Sequence, residues 1–298
     1  MAVRKLESPP SSLELYARAG LGAIPGTGRL PFLPGGGGDV PDIELQLDDV
    51  AVDADRLAAY CKVCGFTMRD TLPPTYPHIL AFPLHMALLT DSSFPFPAIG
   101  MVHISNRIRQ VRPIGVDERL SLSVSASRLR PHPKGKTFSL ITEARAGAET
   151  VWTAESVNLR RGGSGGDDEG GRRADTGPTI DLDALDVEAQ WSLPGDLGRR
   201  YADVSGDRNP IHLYGLTAKA FGFPRQIAHG MWSKARALAQ LEPRLPATFE
   251  TEVAFKKPIL LPAKVEFASS EAAGRVDFGI RDAHKATTHL VGTATPST

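Results

Sequence analysis

The sequence has little of several features that would point to a specialised class of protein. Its 34 Lys+Arg residues equal its 34 Asp+Glu residues, so no net charge attracts nucleic acid or an anionic membrane. No apolar run approaches the roughly 18 residues that a membrane-spanning helix needs. The N-terminus has an early acid and two prolines in place of a long apolar core, so we do not expect a secretory signal there. We therefore expect a globular, cytoplasmic protein whose partners include neither nucleic acid nor a membrane.

Cysteine is also nearly absent. Cys61 and Cys64 are the two cysteines, and they form a CxxC motif. A redox pair would need a thioredoxin-like context, and a zinc site would need about four ligands, but no second Cys/His pair is visible. The spacing instead predicts two small residues on one face of a helix that begins near Asp53. The CxxC motif therefore predicts neither a zinc site nor a redox pair.

Glycine and proline are abundant, with 29 and 24 residues, and their clusters divide the chain into regions. Residues 1–45 are predicted to form an irregular N-terminal arm with a short helix at 12–18. Residues 161–179 have no apolar periodicity and are predicted to be a flexible linker. Two halves of similar size remain, at 46–160 and 180–298.

The two halves look like diverged copies of one unit. Met86 and Met231, each in an apolar helical segment, lie 145 positions apart. At the same offset, Arg112-Pro113-Ile114 matches Lys257-Pro258-Ile259. Each half has a short helix, then a central apolar helix, then a run of alternating strands. This order predicts an α+β fold in which each half is an antiparallel sheet wrapped around its central helix.

The run SGDRNPIH at 205–212 brings an acid and a histidine together. Pro210 suits the first position of a helix, so Asn209 is predicted to cap that helix and His212 to lie in its first turn. Asp207 lies just outside, and the turn lets its carboxylate and the imidazole face one small volume. Such a pair can exchange protons with a substrate. The alternative is an Asp–His pair that only caps the helix.

Gly230 is predicted to begin the longest apolar helix, where backbone N–H groups are unpaired and the helix dipole is positive. A glycine there lets a substrate carbonyl approach the backbone, but it would equally allow tight packing of the helix on a sheet. His229 is expected to cap this helix or to line the pocket. Ser233, one turn on, can bond a substrate or the preceding turn. Lys256 and Lys257 can contact a phosphate at the pocket mouth or remain solvated.

The string YADVSGDRNPIH at 201–212, with Ala218 six positions later, resembles the hydratase-2 signature of the MaoC-like, R-specific enoyl-CoA hydratases, and GFPRQIAHGM continues it. PPTYPHILAFP and VHISNRIRQVRPI in the first half are similar to the double-hotdog 3-hydroxyacyl-thioester dehydratases. The resemblance covers roughly residues 45–295. It implies a double hotdog that adds water reversibly and in syn fashion to a trans-2-enoyl thioester. The product would be an (R)-3-hydroxyacyl thioester of fatty acid metabolism.

The resemblance also implies roles for individual residues. Asp207 and His212 would hold the water and exchange protons with it and with C2, while Asn209 would orient the acid or the turn. The Gly230 N–H would bind the thioester oxygen, and no metal or redox cofactor is implied. The acyl group would be carried by CoA or an acyl carrier protein, and a monomer and a homodimer both fit. Two alternatives are a hotdog acyl-CoA thioesterase and a non-catalytic acyl-thioester-binding subunit.

The first half lacks the candidate catalytic residues of the second half. Cys64-Gly65-Phe66 aligns with Ser205-Gly206-Asp207 when a gap of four residues is allowed, so Phe66 stands where the acid should be. His85 falls opposite Gly230 at the offset of the two methionines. One working site per chain is therefore predicted, and the first half is expected to hold the acyl chain or to supply a wall of its tunnel.

Overall fold

The computed structural model describes residues 1–22, 38–162 and 177–297. The helices and strands, in chain order, are β1 (Ala2–Leu6), α1 (Ser12–Gly22), β2 (Ile43–Val50), α2 (Ala54–Cys64), α3 (Tyr76–Leu89), β3 (Met101–Gln110), β4 (Leu120–Ala126), β5 (Arg130–His132), β6 (Gly135–Ala146), β7 (Glu149–Arg161), β8 (Asp186–Leu193), α4 (Leu197–Ser205), α5 (Pro210–Leu213), α6 (Gly215–Ala220), α7 (Gly230–Leu241), β9 (Phe249–Phe255), β10 (Ala263–Ala272), β11 (Arg275–Asp282) and β12 (Thr288–Pro296). The predicted α+β class is confirmed.

The chain forms two compact units whose limits differ from those of the two sequence halves. The first unit comprises Met1–Ala51, Pro77–Ile104 and Glu118–Thr176, and the second comprises Val52–Tyr76, Ser105–Asp117 and Gly177–Thr298. The predicted division at 46–160 and 180–298 therefore differs from the compact units, because residues 52–76 and 105–117 of the first half fold with the second half.

The first unit is a mainly antiparallel sheet. Its strands lie in the order β1, β2, β4, β6, β7. The pairs β2–β4, β4–β6 and β6–β7 are antiparallel, whereas β1 runs parallel to β2 with Ala2 opposite Ile43. In β4, Leu120, Leu122 and Val124 are buried and the serines between them are partly exposed. This alternation places one face of the strand in the core, as the period of two in LSLSVSA predicts.

The central helix of the first unit, α3, contains Met86, as the sequence predicts. Tyr76–Leu89 forms one helix although Pro83 lies inside it. An interior proline removes a helical hydrogen bond and usually ends or kinks the helix, but this segment is apolar and largely buried, which offsets that loss. The helix packs on β6, where Nε2 of His85 lies 2.8 Å from Oγ1 of Thr142.

The second unit repeats the layout of the first. Its strands lie in the order β9, β12, β11, β10, β8, so β8-β10-β11-β12 corresponds to β2-β4-β6-β7 of the first unit. These pairs are all antiparallel, and residues 105–110 of β3 pair with β9. The central helix is α7, and most of its residues are buried. Each unit thus has its own run of paired strands and its own central helix.

A fully buried lysine attaches α7 to this sheet. Nζ of Lys234 donates to the backbone carbonyl of Asn106 at 3.1 Å, to Oδ1 of Asn106 at 2.6 Å and to the carbonyl of Thr251 at 3.2 Å. An ammonium group has three donors, and all three are used. Burial lowers the pKa of Lys234 well below its ordinary value, and Glu252 and Glu250 oppose that shift. The sequence analysis missed this lysine, although it lies in an otherwise apolar helical stripe.

The expectation of an irregular arm at 1–45 is wrong at its ends. Ala2–Leu6 is a strand because it pairs with β2, whose first residue is Ile43. The short helix expected at 12–18 is confirmed and extends over Ser12–Gly22. Residues 23–37 of the arm and 163–176 of the predicted linker lie outside the described residues. No helix in the described ranges is long and apolar enough to cross a membrane.

The structural interpretation of the CxxC motif is confirmed. Cys61 and Cys64 are buried free thiols on α2. The helix begins after Asp53, whose Oδ1 accepts the backbone N–H of Arg56 at 2.8 Å. Burial raises the pKa of Cys61 to about 11 and that of Cys64 further still, so neither thiol is poised to react.

Candidate active site

The acid of the candidate site lies on the turn that ends α4. Gly206 ends the helix with φ 82, a left-handed conformation that favours glycine, and its N–H donates to the carbonyl of Ala202. The next residue, Asp207, donates its backbone N–H to Oγ of Ser205 at 3.1 Å. Oδ1 of Asp207 accepts the backbone N–H of Asn209 at 3.1 Å. Asp207 is thus held by one hydrogen bond at its backbone N–H and by another at its carboxylate.

The histidine of the site lies on the short helix α5. Asn209 caps this helix, its Oδ1 accepting the N–H of Ile211 at 3.4 Å, and Pro210 takes the first position, as predicted. His212 is buried within this helix. α5 packs closely on α4 because Gly198 has no side chain: a Cβ there would collide with the carbonyl of His212. Gly198 therefore determines how closely α5, which carries His212, can approach α4.

A backbone carbonyl fixes the tautomer of His212. Its Nδ1 lies 2.8 Å from the carbonyl oxygen of Ile227. A carbonyl oxygen can only accept, so Nδ1 carries the hydrogen and the neutral ring has its lone pair on Nε2. Burial lowers the pKa of His212, and the charge of Asp207 and the bond to Ile227 oppose that shift. The ring is therefore neutral, with a free basic nitrogen, at neutral pH.

A second histidine completes the cluster. Nε2 of His229 lies 3.0 Å from the backbone carbonyl of Asp207 and 3.8 Å from its Oδ2. The ring stacks on that of His212, with 3.7 Å between centroids and 25° between planes. Behind it lies the ring of Tyr201, at 4.9 Å between centroids. Burial and the neighbouring His212 lower the pKa of His229 to about 3, so this ring is also neutral.

The three side chains face one volume, as the sequence predicts for Asp207 and His212. One ligand atom from each of Asp207, His212 and His229 lies within 4.8 Å of the other two. Two hydrogen bonds of about 2.8 Å that share one water span about 4.5 Å, so a single water can bridge a carboxylate and an imidazole at this separation.

Aspartate and histidine side chains are also common metal ligands. Imidazole nitrogens bind metals in the plane of the ring, with lone pairs that converge on the ion at about 2.0–2.1 Å. The nearly parallel rings of His212 and His229 direct their lone pairs alongside each other rather than towards one point. The stacked geometry favours proton transfer over metal binding.

Gly230 begins α7 as predicted, with His229 at the cap position. As the first residue of the helix it has a backbone N–H without an intrahelical acceptor. A Cβ on Gly230 would lie 3.1 Å from the ring of Phe255, so the glycine also allows close packing on β9. Ser233 is buried, and its hydroxyl donates to the carbonyl of His229 at 3.3 Å. This is the bond to the preceding turn that the sequence offers as the alternative to a substrate contact.

The two lysines follow β9 directly. Lys256 and Lys257 are exposed, and they come after Phe255, whose ring touches Gly230. Their backbone is fixed by His289: the N–H of Lys256 donates to the carbonyl of His289 at 2.8 Å, and Nδ1 of His289 lies 3.0 Å from the carbonyl of Lys257. The ammonium groups thus extend into solvent from the end of the strand that packs against the start of α7.

The chain is similar to proteins of known family and structure. Residues 184–292 match the family model described as MaoC like domain. The chain is 35% identical over 284 residues to 3-hydroxyacyl-thioester dehydratase X of Mycobacterium tuberculosis, covering 95% of this chain and 98% of that protein. The chain belongs to the MaoC-like dehydratase family. A crystal structure of HtdX from the same organism has a TM-score of 0.75 and 33% identity, covering 85% of this chain and 100% of that one.

The double hotdog expected for a MaoC-like protein is confirmed. A second solved structure from Mycobacterium tuberculosis, a conserved hypothetical protein described as having a double hotdog fold, has a TM-score of 0.50 at 14% identity. It covers 87% of this chain and 96% of that one. The repeated strand order of the two units agrees with this architecture.

Three parts of this MaoC-like site were missed by sequence reasoning. His212 has three contacts from elsewhere in the chain. These are the carbonyl of Ile227, the backbone at Gly198 and the face of the His229 ring. Only Gly198 leaves a trace in the sequence, as a glycine inside a helix, which is unfavourable unless packing requires it. The other two depend on long-range folding.

Proposed function

We propose that this protein is a hydro-lyase that reversibly hydrates trans-2-enoyl thioesters and dehydrates (R)-3-hydroxyacyl thioesters. One observation carries the proposal: the carboxylate of Asp207 and the imidazole of His212 face one volume, and the basic Nε2 of His212 is unprotonated. The dehydratase named among the relatives supports the same reaction class. The acyl carrier would be CoA or an acyl carrier protein, and the pathway would be that of fatty acids.

The proposed first step is attack of water on C3 of the enoyl thioester. A water between the two side chains donates one hydrogen bond to the carboxylate of Asp207 and the other to Nε2 of His212. As the oxygen bonds to C3, His212 takes a proton, and the π electrons of the C2–C3 double bond move to the thioester oxygen. A general base of this kind contributes about 10²–10⁴ in rate. The lowered pKa of His212 keeps the ring ready to accept a proton at neutral pH.

The proposed second step returns a proton to C2. The enolate electrons re-form the thioester carbonyl while the imidazolium of His212 gives its proton to C2. The proton reaches C2 from the same face of the former double bond as the water oxygen reached C3, so the addition is syn. Dehydration is the same sequence reversed, with His212 removing the C2 proton and the C3 hydroxyl leaving as water. Asn209 supports both steps by holding the Asp207 turn through its backbone N–H.

Gly230 would stabilise the charge that develops on the thioester oxygen. Its N–H lies at the positive end of α7 and is not needed within the helix. One oxyanion donor is worth about 10²–10³ in rate. Lys256 and Lys257 would bind the phosphate of the carrier from the adjoining strand end. Ser233 would support the start of the helix through His229 rather than bind substrate directly.

The decisive assay is water addition to crotonyl-CoA and to a longer enoyl-CoA. We expect wild-type protein to consume the enoyl absorbance, and Asp207→Asn and His212→Ala each to lower turnover by about 10²-fold or more, as expected for loss of an acid/base group. Circular dichroism would establish that both variants remain folded. Turnover within several-fold of wild type in both variants would contradict the assignment.

The same assay separates the alternatives. A hotdog thioesterase would release free CoA, which a thiol reagent detects, without hydrating the double bond. A non-catalytic acyl-thioester-binding subunit would bind the thioester and leave it unchanged. The pairing of Asp207 with a neutral, correctly tautomerised His212 favours the hydratase over both.

A further inference from the structure

His229 has no step in the proposed reaction, yet it contacts both members of the Asp207–His212 pair. Its ring covers one face of the His212 ring at 3.7 Å, and its Nε2 approaches the backbone carbonyl of Asp207 at 3.0 Å. It is almost completely buried, with 2% of its surface exposed. A polar ring in such a place needs a reason, because burying it without one is unfavourable.

We propose that His229 is a positioning residue that holds the Asp207–His212 pair in its reactive geometry through two separable contacts. The face of its ring stops rotation of His212 and keeps water from that side of the imidazole. Its Nε2–H fixes the backbone of Asp207 and so the direction of the carboxylate. This inference rests on the proposed hydratase function, which it extends to a third residue.

The first contact explains how a histidine beside a carboxylate remains neutral. A carboxylate within reach normally favours the imidazolium. His229 covers His212 with a neutral ring and so withholds the solvation that the imidazolium would need. The ring of Tyr201 also packs against that of His229, with 4.9 Å between centroids, which helps to hold His229 in place. The result is a base that is aligned and unprotonated.

The second contact orients the acid. The carbonyl of Asp207 can only accept, so the bond from His229 requires its hydrogen on Nε2 and leaves Nδ1 without one. Nδ1 is buried and has no hydrogen-bond partner in the part of the chain that the structure describes. His229 therefore acts on the site through two groups, its ring face and its single N–H donor.

The groups around His212 come from α4, the turn that follows it, the cap of α7 and the segment at Ile227. From α4, Tyr201 lies beyond His229, and the Arg199 guanidinium donates to the carbonyl of Leu213 at 2.9 Å. The turn contributes Asp207, the cap of α7 contributes His229, and the segment at Ile227 contributes a backbone carbonyl. His229 is thus the element of this environment that touches both reacting groups.

Two substitutions separate the contacts. His229→Gln places an amide donor near the position of Nε2 but removes the aromatic face. We expect the acid limb of its kcat/KM profile to move up by about one pH unit and its plateau kcat to fall about threefold, because His212 is less protected from water and can rotate. His229→Phe keeps a ring face and removes the donor. We expect its acid limb to stay in place and its plateau kcat to fall about tenfold or more, with KM changing less than about twofold.

Direct titration of His212 by ¹⁵N NMR gives a readout that does not need turnover. Wild type and His229→Phe should show the Nδ1–H tautomer and a lowered pKa, and His229→Gln should show a pKa nearer the ordinary value. Identical titrations and plateaus in all three proteins would overturn the inference, and so would equal losses in both variants without a shift of the acid limb. If wild type fails to hydrate crotonyl-CoA, the proposed function fails, and the titration still decides the role of His229.

Discussion

The two halves of the chain end a short helix in the same way and differ at the next residue. α2 ends at Gly65 with φ 85, and α4 ends at Gly206 with φ 82. In each case the glycine N–H donates back into the last turn, to the carbonyl of Cys61 or Ala202. The residue that follows is Phe66 in one half and Asp207 in the other. The backbone turn is therefore common, and the side chain after it decides whether the turn carries chemistry.

The difference extends to what surrounds that residue. Phe66 is buried and stacks near Tyr60, with 6.4 Å between ring centroids and 15° between planes. The side chain of Asp207 keeps 29% of its surface exposed beside His229. At the position that the 145-residue offset aligns with Gly230, His85 lies well inside α3 and bonds Thr142, whereas Gly230 begins α7 with an N–H that has no intrahelical acceptor. Phe66 and His85 thus serve packing and a structural hydrogen bond, whereas Asp207 faces the volume that it shares with His212.

Replacing Asp207 with phenylalanine, the residue that follows the equivalent turn in the first half, should have the largest effect on activity. We expect Asp207→Phe to lower kcat/KM for crotonyl-CoA by about 10³-fold or more, because it removes the carboxylate that orients water and fills part of the reacting volume. Asp207→Asn is the matched control, since it keeps the shape and the Oδ1 acceptor of the turn. If Asp207→Phe retained a tenth of wild-type activity, the comparison of the two turns would have no catalytic meaning.

The reverse exchange should affect stability rather than activity. We expect Phe66→Asp to lower the free energy of unfolding by about 3 kcal/mol, because it replaces a buried aromatic ring with a charge. No hydratase activity should appear in an Asp207→Asn background, since no histidine follows the turn at Gly65 as His212 follows Gly206. Phe66→Leu should cost less than about 1.5 kcal/mol.

Urea unfolding followed by circular dichroism measures these stability differences. Equal midpoints for wild type and Phe66→Asp would mean that Phe66 is not part of the core. Appearance of hydration in the double variant would mean that the turn alone is sufficient for catalysis.

Local patterns predict most of the fold. Period-two alternation identifies β4, and the proline–asparagine pair at 209–210 identifies the start of α5. Ala2–Leu6 was missed because it has no buried residue and therefore no alternation to detect; pairing with β2 makes it a strand. β2 and β8 were also missed, although IELQL in β2 alternates.

The compact units could not be predicted because they depend on contacts distant in sequence. Residues 52–76 join the second unit, where Arg56 on α2 donates to the carbonyl of Val204 on α4 at 2.8 Å. The groups of the site also divide into those set by local sequence and those set by contacts distant in sequence. Asp207, Asn209 and His212 belong to one local turn and could be placed from sequence, whereas the Ile227 carbonyl that sets the tautomer of His212 could not.

Both units contain a buried neutral histidine, which predicts a loss of stability in acid. Burial lowers the pKa of His85 in the first unit and of His229 in the second to about 3. The unfolded chain takes up these protons below its ordinary pKa of about 6.5, so stability is complete above that pH and falls as the pH drops towards 3. We expect each histidine to cost about 2 kcal/mol between pH 6.5 and pH 5.

Urea unfolding at pH 7.5, 6 and 5 tests this expectation. His85→Gln should flatten the pH dependence of the first unit without changing the pH profile of hydration, because His85 belongs to the unit that lacks the dyad. His229→Gln should flatten that of the second unit. A free energy of unfolding that is constant between pH 7.5 and pH 5 would contradict burial of these rings in the neutral form.

The smallest expected effect comes from the turn that the two halves share. Gly65→Ala and Gly206→Ala each force a side chain into a left-handed conformation, and we expect each to lower the free energy of unfolding by about 1 kcal/mol. At Gly65 the new methyl group also displaces the flexible guanidinium of Arg236. Only Gly206→Ala should lower kcat, because only that turn carries an acid. Equal losses of stability with unequal losses of kcat would separate the role of the turn in folding from its role in catalysis, and equal losses of kcat would show that the turn in the first half also shapes the active site.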